Sequence, residues 1–428
     1  MKQAVFLDRD GVINKEKGYI ASSDEIELIK GAGEAIALLS KLGMKIVVVT
    51  NQPQVARGLC DEEDVKEINK KVEELVVSCG GKIDAFYFCP HHPERHHPDI
   101  PKDRMKYRIK CKCRKPNIGM LEQAARDLGI SPEGNFMIGD HQRDIQAGKK
   151  FGCRTILVHA EQKKDSKKED EKEEEPDFVC EDLLDAAHLI VSVQKMATLI
   201  LAGGEGRRLR PLTETMPKPM VPIVGKPVLE HLIELNRKEG IKRIIISGSY
   251  MFDYIKEYFG DGSRFGVSIE YVDDGEEPLG SGGPLKKCED ILPEHFVVMS
   301  GDAITNFAIH ELVNMHMQKK GIATIVVRET DHPEDSDIIE VDDTGRAVHF
   351  FSKLEKEKKG DMGNTGLFVF KKEALAFAPE KGNLEQDLLR PLIEKEKVYC
   401  YINTKYYIKD IGTKERYEKA EKDFSSLT

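Results

Sequence analysis

No run of apolar residues in this 428-residue chain is long enough to cross a bilayer. No basic tail offsets the net charge of -10, which excludes a nucleic-acid-coating surface. Cysteine is sparse. The nine residues are an odd number and lie thinly spread except for one cluster. That usage excludes a secreted disulfide scaffold and suits a reducing cytoplasm. The opening stretch "MKQAVFLDRDGV" has too short an apolar run for a signal peptide, and acidic residues follow at once. The expectation is a cytoplasmic protein without membrane or nucleic-acid partners. A homo-oligomeric state stays open.

What is present points to two globular domains. The length and the 40% apolar content let each half bury its own core. "AVFLD", "KIVVVT", "AFYFC", "NFMIGD" and "RTILV" read as strands, alternating with amphipathic helices such as "AGEAIALLSKLG" and "IGMLEQAARDLG". The second half repeats the alternation from "ATLILAGG" to "GLFVF". This predicts an α/β fold with two doubly wound, mostly parallel sheets. The expected domains are residues 1–195 and 196–428, joined by very few residues near Gln194–Met196. The charged run 161–176 cannot pack a core and reads as a solvated insert in the first domain.

Asp8 and Asp10 stand at the end of the first strand, where parallel sheets place ligands. A turn or helix cap explains one carboxylate there but not both. Thr50 and Asn51 end a second strand, "CRKP" carries Arg114 and Lys115, and "MIGDHQRD" carries Asp140 and Asp144. Carboxylates, a hydroxyl and a lysine at successive strand ends suit metal-assisted phosphoryl transfer. Cys89, His91, Cys111 and Cys113 form two ligand pairs separated by a loop, which suits a closed tetrahedral zinc site. His92, His96 and His97 are nearby and compete as ligands, although each also reads as a solvated loop histidine.

These motifs, in this order, resemble the haloacid-dehalogenase-type phosphatases over the whole first half. The zinc pattern is similar to the heptose-1,7-bisphosphate and histidinol-phosphate branches, and "DRDGVINKEKGYI" and "CRKPNIGM" read closer to the former. The resemblance implies Asp8 as nucleophile and Asp10 as acid and base. It assigns Thr50, Asn51, Arg57, Arg114 and Lys115 to substrate. Asp8, the Asp10 carbonyl and Asp140 would hold Mg²⁺, and zinc would be structural. Pro53–Gln54 stand where that branch carries Ser–Gly.

In the second half, "LILAGGEGRRLRPLTETMPKPM" is neither a dinucleotide fingerprint nor a Walker loop. Gly203, Gly204 and Gly206 free backbone N–H groups, and Arg207, Arg208, Arg210 and Lys218 follow, as a triphosphate cradle requires. With "PLGSGG", "SGDA", "GNTGLFVF" and "YYIKDIGT", the stretch resembles the sugar-1-phosphate nucleotidylyltransferases. The resemblance implies catalytic Arg208 and Lys218. It implies Mg²⁺ on Asp302 and Asp410, a base pocket at Gly280 and Gly282, and a sugar contact at Asn364. Arg207 stands where Thr is usual, and Ser352–Lys353 where a Glu–Lys pair often touches the sugar. The heptose-1-phosphate guanylyltransferases are the branch most alike.

Together the resemblances imply a bifunctional enzyme. It would dephosphorylate D-glycero-D-manno-heptose 1,7-bisphosphate and couple the heptose 1-phosphate to GMP from GTP, releasing pyrophosphate. Two alternatives stay open. One is a histidinol-phosphate-type phosphatase fused to a hexose-1-phosphate nucleotidylyltransferase. The other is a phosphatase with a non-catalytic nucleotide-sugar sensor.

Overall fold

The structure, a computed structural model, describes residues 2–93, 102–131, 133–159, 174–330, 336–355 and 360–427. His96, His97 and most of the charged run 161–176 lie outside the described residues. The chain divides into two units, Met1–Val191 and Ser192–Thr428.

The first unit is built on six parallel strands in the order β3-β2-β1-β4-β5-β6. They are β1 (Ala4–Leu7), β2 (Lys45–Asn51), β3 (Ala85–Cys89), β4 (Phe136–Gly139), β5 (Arg154–Val158) and β6 (Phe178–Cys180). The central strands are apolar on both faces because helices cover both. These helices are α1 (Ala32–Lys41), α2 (Gln54–Arg57), α3 (Glu62–Ser78), α4 (Gly119–Leu128), α5 (Gln142–Phe151) and α6 (Leu183–Lys195). Asp61 caps α3 by accepting from the Glu63 and Asp64 N–H groups, and Gly129 and Gly152 end α4 and α5 in left-handed turns. Only Met196 separates α6 from the next strand.

The second unit holds a mixed sheet. Its main path is β11-β10-β7-β12-β17-β14-β18. The first strands are β7 (Ala197–Leu201), the short hairpin β8 (Pro222–Ile223) and β9 (Lys226–Pro227), β10 (Arg243–Gly248), β11 (Ser268–Asp273), β12 (His295–Ser300) and β13 (Ala303–Thr305). β14 (Ala323–Glu329), β15 (Ile338–Val341), β16 (Ala347–Phe351), β17 (Met362–Lys371), β18 (Val398–Ile402) and β19 (Ile408–Asp410) complete it. β17 runs antiparallel between β12 and β14, while the remaining neighbours on the path are parallel. The apolar run "GLFVF" marks a buried strand but carries no direction, so this reversal was not legible in the sequence.

Helices α7 (Val228–Lys238), α8 (Phe252–Phe259), α9 (Gly283–Lys287), α10 (Ile309–Lys319), α11 (Arg390–Lys395) and α12 (Lys414–Ser425) surround the sheet. Phe296, Phe368 and Phe370 fill its core with Leu388 and Leu392. Among the described residues no helix is long and apolar enough to cross a membrane.

Candidate active sites

At one edge of the first sheet, β1 delivers Asp8 and Asp10, β2 delivers Thr50 and Asn51, and β4 delivers Asp140. Lys115 reaches in from the loop before α4. Its Nζ lies 3.0 Å from Asp8 Oδ1 and 2.7 Å from Asp144 Oδ1. All three side chains are buried. Burial opposes charge on Asp8, but Lys115, Arg143 and the Arg9 N–H outweigh it and hold the carboxyl below its usual range. Burial pushes Asp144 up, and the neighbouring Asp8 and Asp140 add to that against Lys115 and Arg143. The result is an ionised carboxylate beside a fixed ammonium, which is what a carboxylate nucleophile needs.

A cavity of about 450 Å³ opens over this group, lined in part by Asp8, Asp10, Thr50, Arg57, Arg114 and Arg143. Its cations suit a phosphorylated ligand. Asp140 Oδ1 pairs with His141 Nδ1 at 2.7 Å, while its Oδ2 is buried without a hydrogen-bond partner among the described residues. A Cβ at Gly11, where φ is +80°, would stand 2.4 Å from that oxygen, so only glycine fits. An unpaired buried carboxylate oxygen beside a second carboxylate fits a hard divalent cation. Oxygens of Asp140 and Asp144 and a ring nitrogen of His141 lie within 4.8 Å of one another there, a spacing that fits one ion.

Asn51 and Arg57 both line the cavity, each held by a neighbour. The Asn51 amide is taken up by the Lys115 backbone. Nδ2 donates to the Lys115 carbonyl at 3.1 Å and Oδ1 accepts from the Lys115 N–H at 3.0 Å. Asn51 therefore places Lys115. Arg57 lies 4.6 Å over the Tyr19 ring and bonds its hydroxyl, which sets it in the cavity wall.

Cys89 ends β3, and His91, Cys111 and Cys113 converge on it. Cys89 Sγ lies 3.5 Å from His91 Nδ1 and 3.5 Å from Cys111 Sγ. Cys113 Sγ lies 3.3 Å from His91 Nδ1, 3.2 Å from Cys89 and 3.3 Å from Cys111. A disulfide needs about 2.0 Å, whereas the edges of a zinc tetrahedron with Zn–S near ~2.3 Å are about 3.5–3.8 Å. Three sulfurs and one nitrogen at near-tetrahedral spacing therefore fit zinc. Hydrogen bonds from Cys89, and from Cys111 and His91, pull the Cys113 thiol down to about 5 against burial. Arg114 Nη1 donates to the His91 carbonyl at 3.1 Å, which ties the cation beside Lys115 to this cluster.

In the second unit a cavity of about 580 Å³ opens beyond the end of β7. Gly203, Gly204, Gly206, Arg208 and Lys218 form one wall, and Gly280 and Asn364 lie on it too. Gly282 does not line it. A Cβ there would meet Pro379 and Asn383, so this glycine packs α9 against the loop before residue 384. Asp302 and Asp410, distant in sequence, are joined by backbone pairing. Ala303 of β13 stands opposite Asp410 of β19, and the Ile411 N–H donates to the Asp302 carbonyl at 2.9 Å. Lys218 Nζ bonds Asp302 Oδ2, and Arg416 Nη1 spans both Asp410 oxygens at 2.8 and 2.9 Å. Two adjoining carboxylates suit a hard cation, with these side-chain cations as their present partners. Arg207 also lines the cavity, but its guanidinium is paired with Glu205 at 2.6 and 3.1 Å and its side chain is 75% exposed.

Neither Ser352 nor Lys353 lines the cavity; the carboxylate beside Asn364 is Glu385. Burial pushes Glu385 up, and burial does the same to Asp274, which lies on the wall near Gly203. No spacing in the sequence marked these two, nor Arg9, Arg143 or Arg416. They come from elements whose approach only the fold sets.

Gly412 makes the second site testable. A Cβ there would lie 2.8 Å from Asp410 Oδ1, 3.4 Å from Arg208 Nη2 and 3.6 Å from Lys218 Nζ. Gly412→Ala should displace the Asp410 carboxylate and lower turnover at this site by about 10-fold or more, the scale of losing one aligned electrostatic contact. Turnover at the first site, measured on the same preparation, should not change.

The nucleotidyl transferase family model matches residues 197–426, and the HAD-hydrolase-like model matches residues 112–186. A D-glycero-beta-D-manno-heptose-1,7-bisphosphate 7-phosphatase of Haemophilus ducreyi is 37% identical over 158 residues, which is 37% of this chain and 82% of that protein. A UTP–glucose-1-phosphate uridylyltransferase of Synechocystis sp. is 36% identical over 233 residues, 51% of this chain. The chain spans 60% of that relative's length. The crystal structure of HddC from Yersinia pseudotuberculosis complexed with GMP-PN aligns at 29% identity and a TM-score of 0.46, over 54% of this chain and 99% of that one.

Proposed function

Because the chain belongs to the nucleotidyl transferase family through residues 197–426 and to the heptose-bisphosphate phosphatase family through its first unit, we propose that it runs two consecutive reactions. Residues 1–195 remove one phosphate from D-glycero-D-manno-heptose 1,7-bisphosphate. Residues 196–428 transfer GMP from GTP to the resulting heptose 1-phosphate and release pyrophosphate. One observation carries the reading. A site suited to freeing a sugar 1-phosphate and a site suited to consuming one occur in a single chain.

In the first reaction Asp8 attacks phosphorus, the bond to the sugar oxygen breaks, and Asp10 gives that oxygen its proton. Water then attacks the aspartyl-phosphate, Asp10 takes its proton, and inorganic phosphate leaves. Thr50 and Lys115 hold the transferring group, with Arg114 and Arg57 in the wall. Mg²⁺ on Asp8, Asp140 and the Asp10 carbonyl would neutralise phosphoryl charge. In the second reaction an oxygen of the sugar 1-phosphate attacks the α-phosphorus of the nucleotide in line. Arg208 and Lys218 balance charge on the triphosphate beside the glycine loop, and Mg²⁺ on Asp302 and Asp410 would share that task. Guanine follows from the likeness of "EPLGSGG" and "IKDIGTKERYEKAEKDF" to the guanylyltransferase branch. The cytoplasm is the expected compartment, since none of the nine cysteines is paired in a disulfide.

The test supplies α- and β-heptose bisphosphate, or histidinol phosphate, with Mg²⁺ and each NTP in turn. Phosphate release from a heptose bisphosphate followed by pyrophosphate release with GTP is the expected result. Pyrophosphate with UTP instead would move the base. None with any NTP and any sugar 1-phosphate would turn the second unit into a sensor.

A further inference from the structure

Gln52 is fully buried, behind the Asp10 and Thr50 side chains that it bonds in the first site. Its Oε1 accepts from Arg9 Nη2 at 2.8 Å and from Gln54 Nε2. Its Nε2 donates to Asp10 Oδ2 at 2.8 Å and to Thr50 Oγ1 at 2.8 Å. Chemistry fixes which way this amide faces. A guanidinium only donates and a carboxylate only accepts, so the reverse orientation would set like groups together at both ends. Thr50 Oγ1 therefore accepts a hydrogen bond from Gln52 and must point its own O–H elsewhere. Thr50, Asp8 and Asp10 face the same cavity.

We propose that Gln52 is a positioning residue that fixes the Thr50 hydroxyl as a donor toward the phosphoryl group. Arg9 sets the Gln52 amide and holds Asp10 from the other side, with Nε 3.1 Å from Oδ1 and Nη2 3.0 Å from Oδ2. Asn14 Nδ2 completes the cradle at 3.0 Å from Oδ1. Gln54 closes the relay. It stands where the resembling phosphatases carry glycine, it is 3% exposed, and its Nε2 also donates to the Ile20 carbonyl at 3.3 Å. The Pro53–Gln54 departure thus places a second amide behind the first and links it to the loop that carries Tyr19. The inference rests on Thr50 being the phosphoryl contact.

Gln52→Glu keeps the shape but cannot donate to Thr50, whose hydroxyl must then turn toward it. With heptose bisphosphate, kcat for phosphate release should fall about 10-fold or more while KM moves less than about 2-fold, and orthovanadate inhibition should weaken in step with kcat. In a Thr50→Val background the same substitution should cost several-fold less, since the hydroxyl it acts through is gone. Gln54→Gly should lower kcat in the same direction by a smaller factor. It tests the relay even if Gln52→Glu fails to fold, with zinc content and melting temperature reporting the folded first unit. An unchanged kcat, a loss confined to KM, or a full loss in the Thr50→Val background would overturn the proposal. Asp8→Asn separates the premises. If it still releases phosphate, the site reading itself fails. If it is inactive while Gln52→Glu matches the unsubstituted enzyme, only the relay fails.

Discussion

Asp8→Asn should abolish phosphate release, by a factor on the order of 10⁴ or more, and leave nucleotidyl transfer to supplied sugar 1-phosphate at its original rate. The physical reason lies in which property of Asp8 the substitution removes. Lys115 Nζ and the Arg9 N–H both reach Asp8 Oδ1, at 3.0 and 2.8 Å. Asparagine keeps an oxygen at that position, so both donors keep an acceptor. Lys115 also keeps Asp144 at 2.7 Å, and the buried ammonium is not stranded. What disappears is the ionised carboxylate oxygen that bonds to phosphorus. An amide has no comparable nucleophile, and Asp144, held by Lys115 at 2.7 Å, does not line the cavity to replace it. Phosphate and pyrophosphate are measured separately on one preparation. Loss of both would show that the two activities depend on each other.

The strand ends were readable because each motif sits on the last residues of an apolar run, and a parallel sheet brings those ends to one edge. Asp8, Thr50 and Asp140 were reachable by that rule. Lys115 was not, since it comes from a loop; its neighbours in "CRKP" and the adjoining zinc ligands drew notice to it. Asn51 shows the limit of such reading. Its position at the end of β2 marked it as a ligand-binding group, yet its two hydrogen bonds to the Lys115 backbone make it a brace. Arg9 was hidden for a related reason. An arginine between two aspartates reads as a surface residue, and only the approach of α3 and the loop after β2 explains its full burial against Asn69 and Gln52. In the second unit, the pairing of Asp302 with Asp410 depends on a short antiparallel ladder between β13 and β19, three residues each, too short to leave a periodic signal.

Cys111→Ser together with Cys113→Ser should take zinc from one per chain to near zero and lower the melting temperature of the first unit. The four ligand atoms lie at the end of β3 and in the loop before α4, and Cys111 and Cys113 pack against the core that contains Cys89, Met120 and Leu121. Serine removes two of three thiolates, and the remaining Cys89 and His91 cannot close a tetrahedron. A structural zinc contributes its binding energy to folding, so the expected loss is at least about 3 kcal/mol. The effect on catalysis should be smaller than that of Asp8→Asn. Arg114 loses its anchor at the His91 carbonyl, while Asn51 still grips the Lys115 backbone from β2. Phosphate release should therefore fall by roughly 10-fold in the folded fraction, through mispositioning and not through loss of a reacting group. Nucleotidyl transfer should be unchanged. Metal content by elemental analysis, a thermal scan and the two product assays check it. An unchanged zinc content would remove the assignment of these four residues, and a loss of zinc with full phosphatase activity would show that the cluster does not place Arg114.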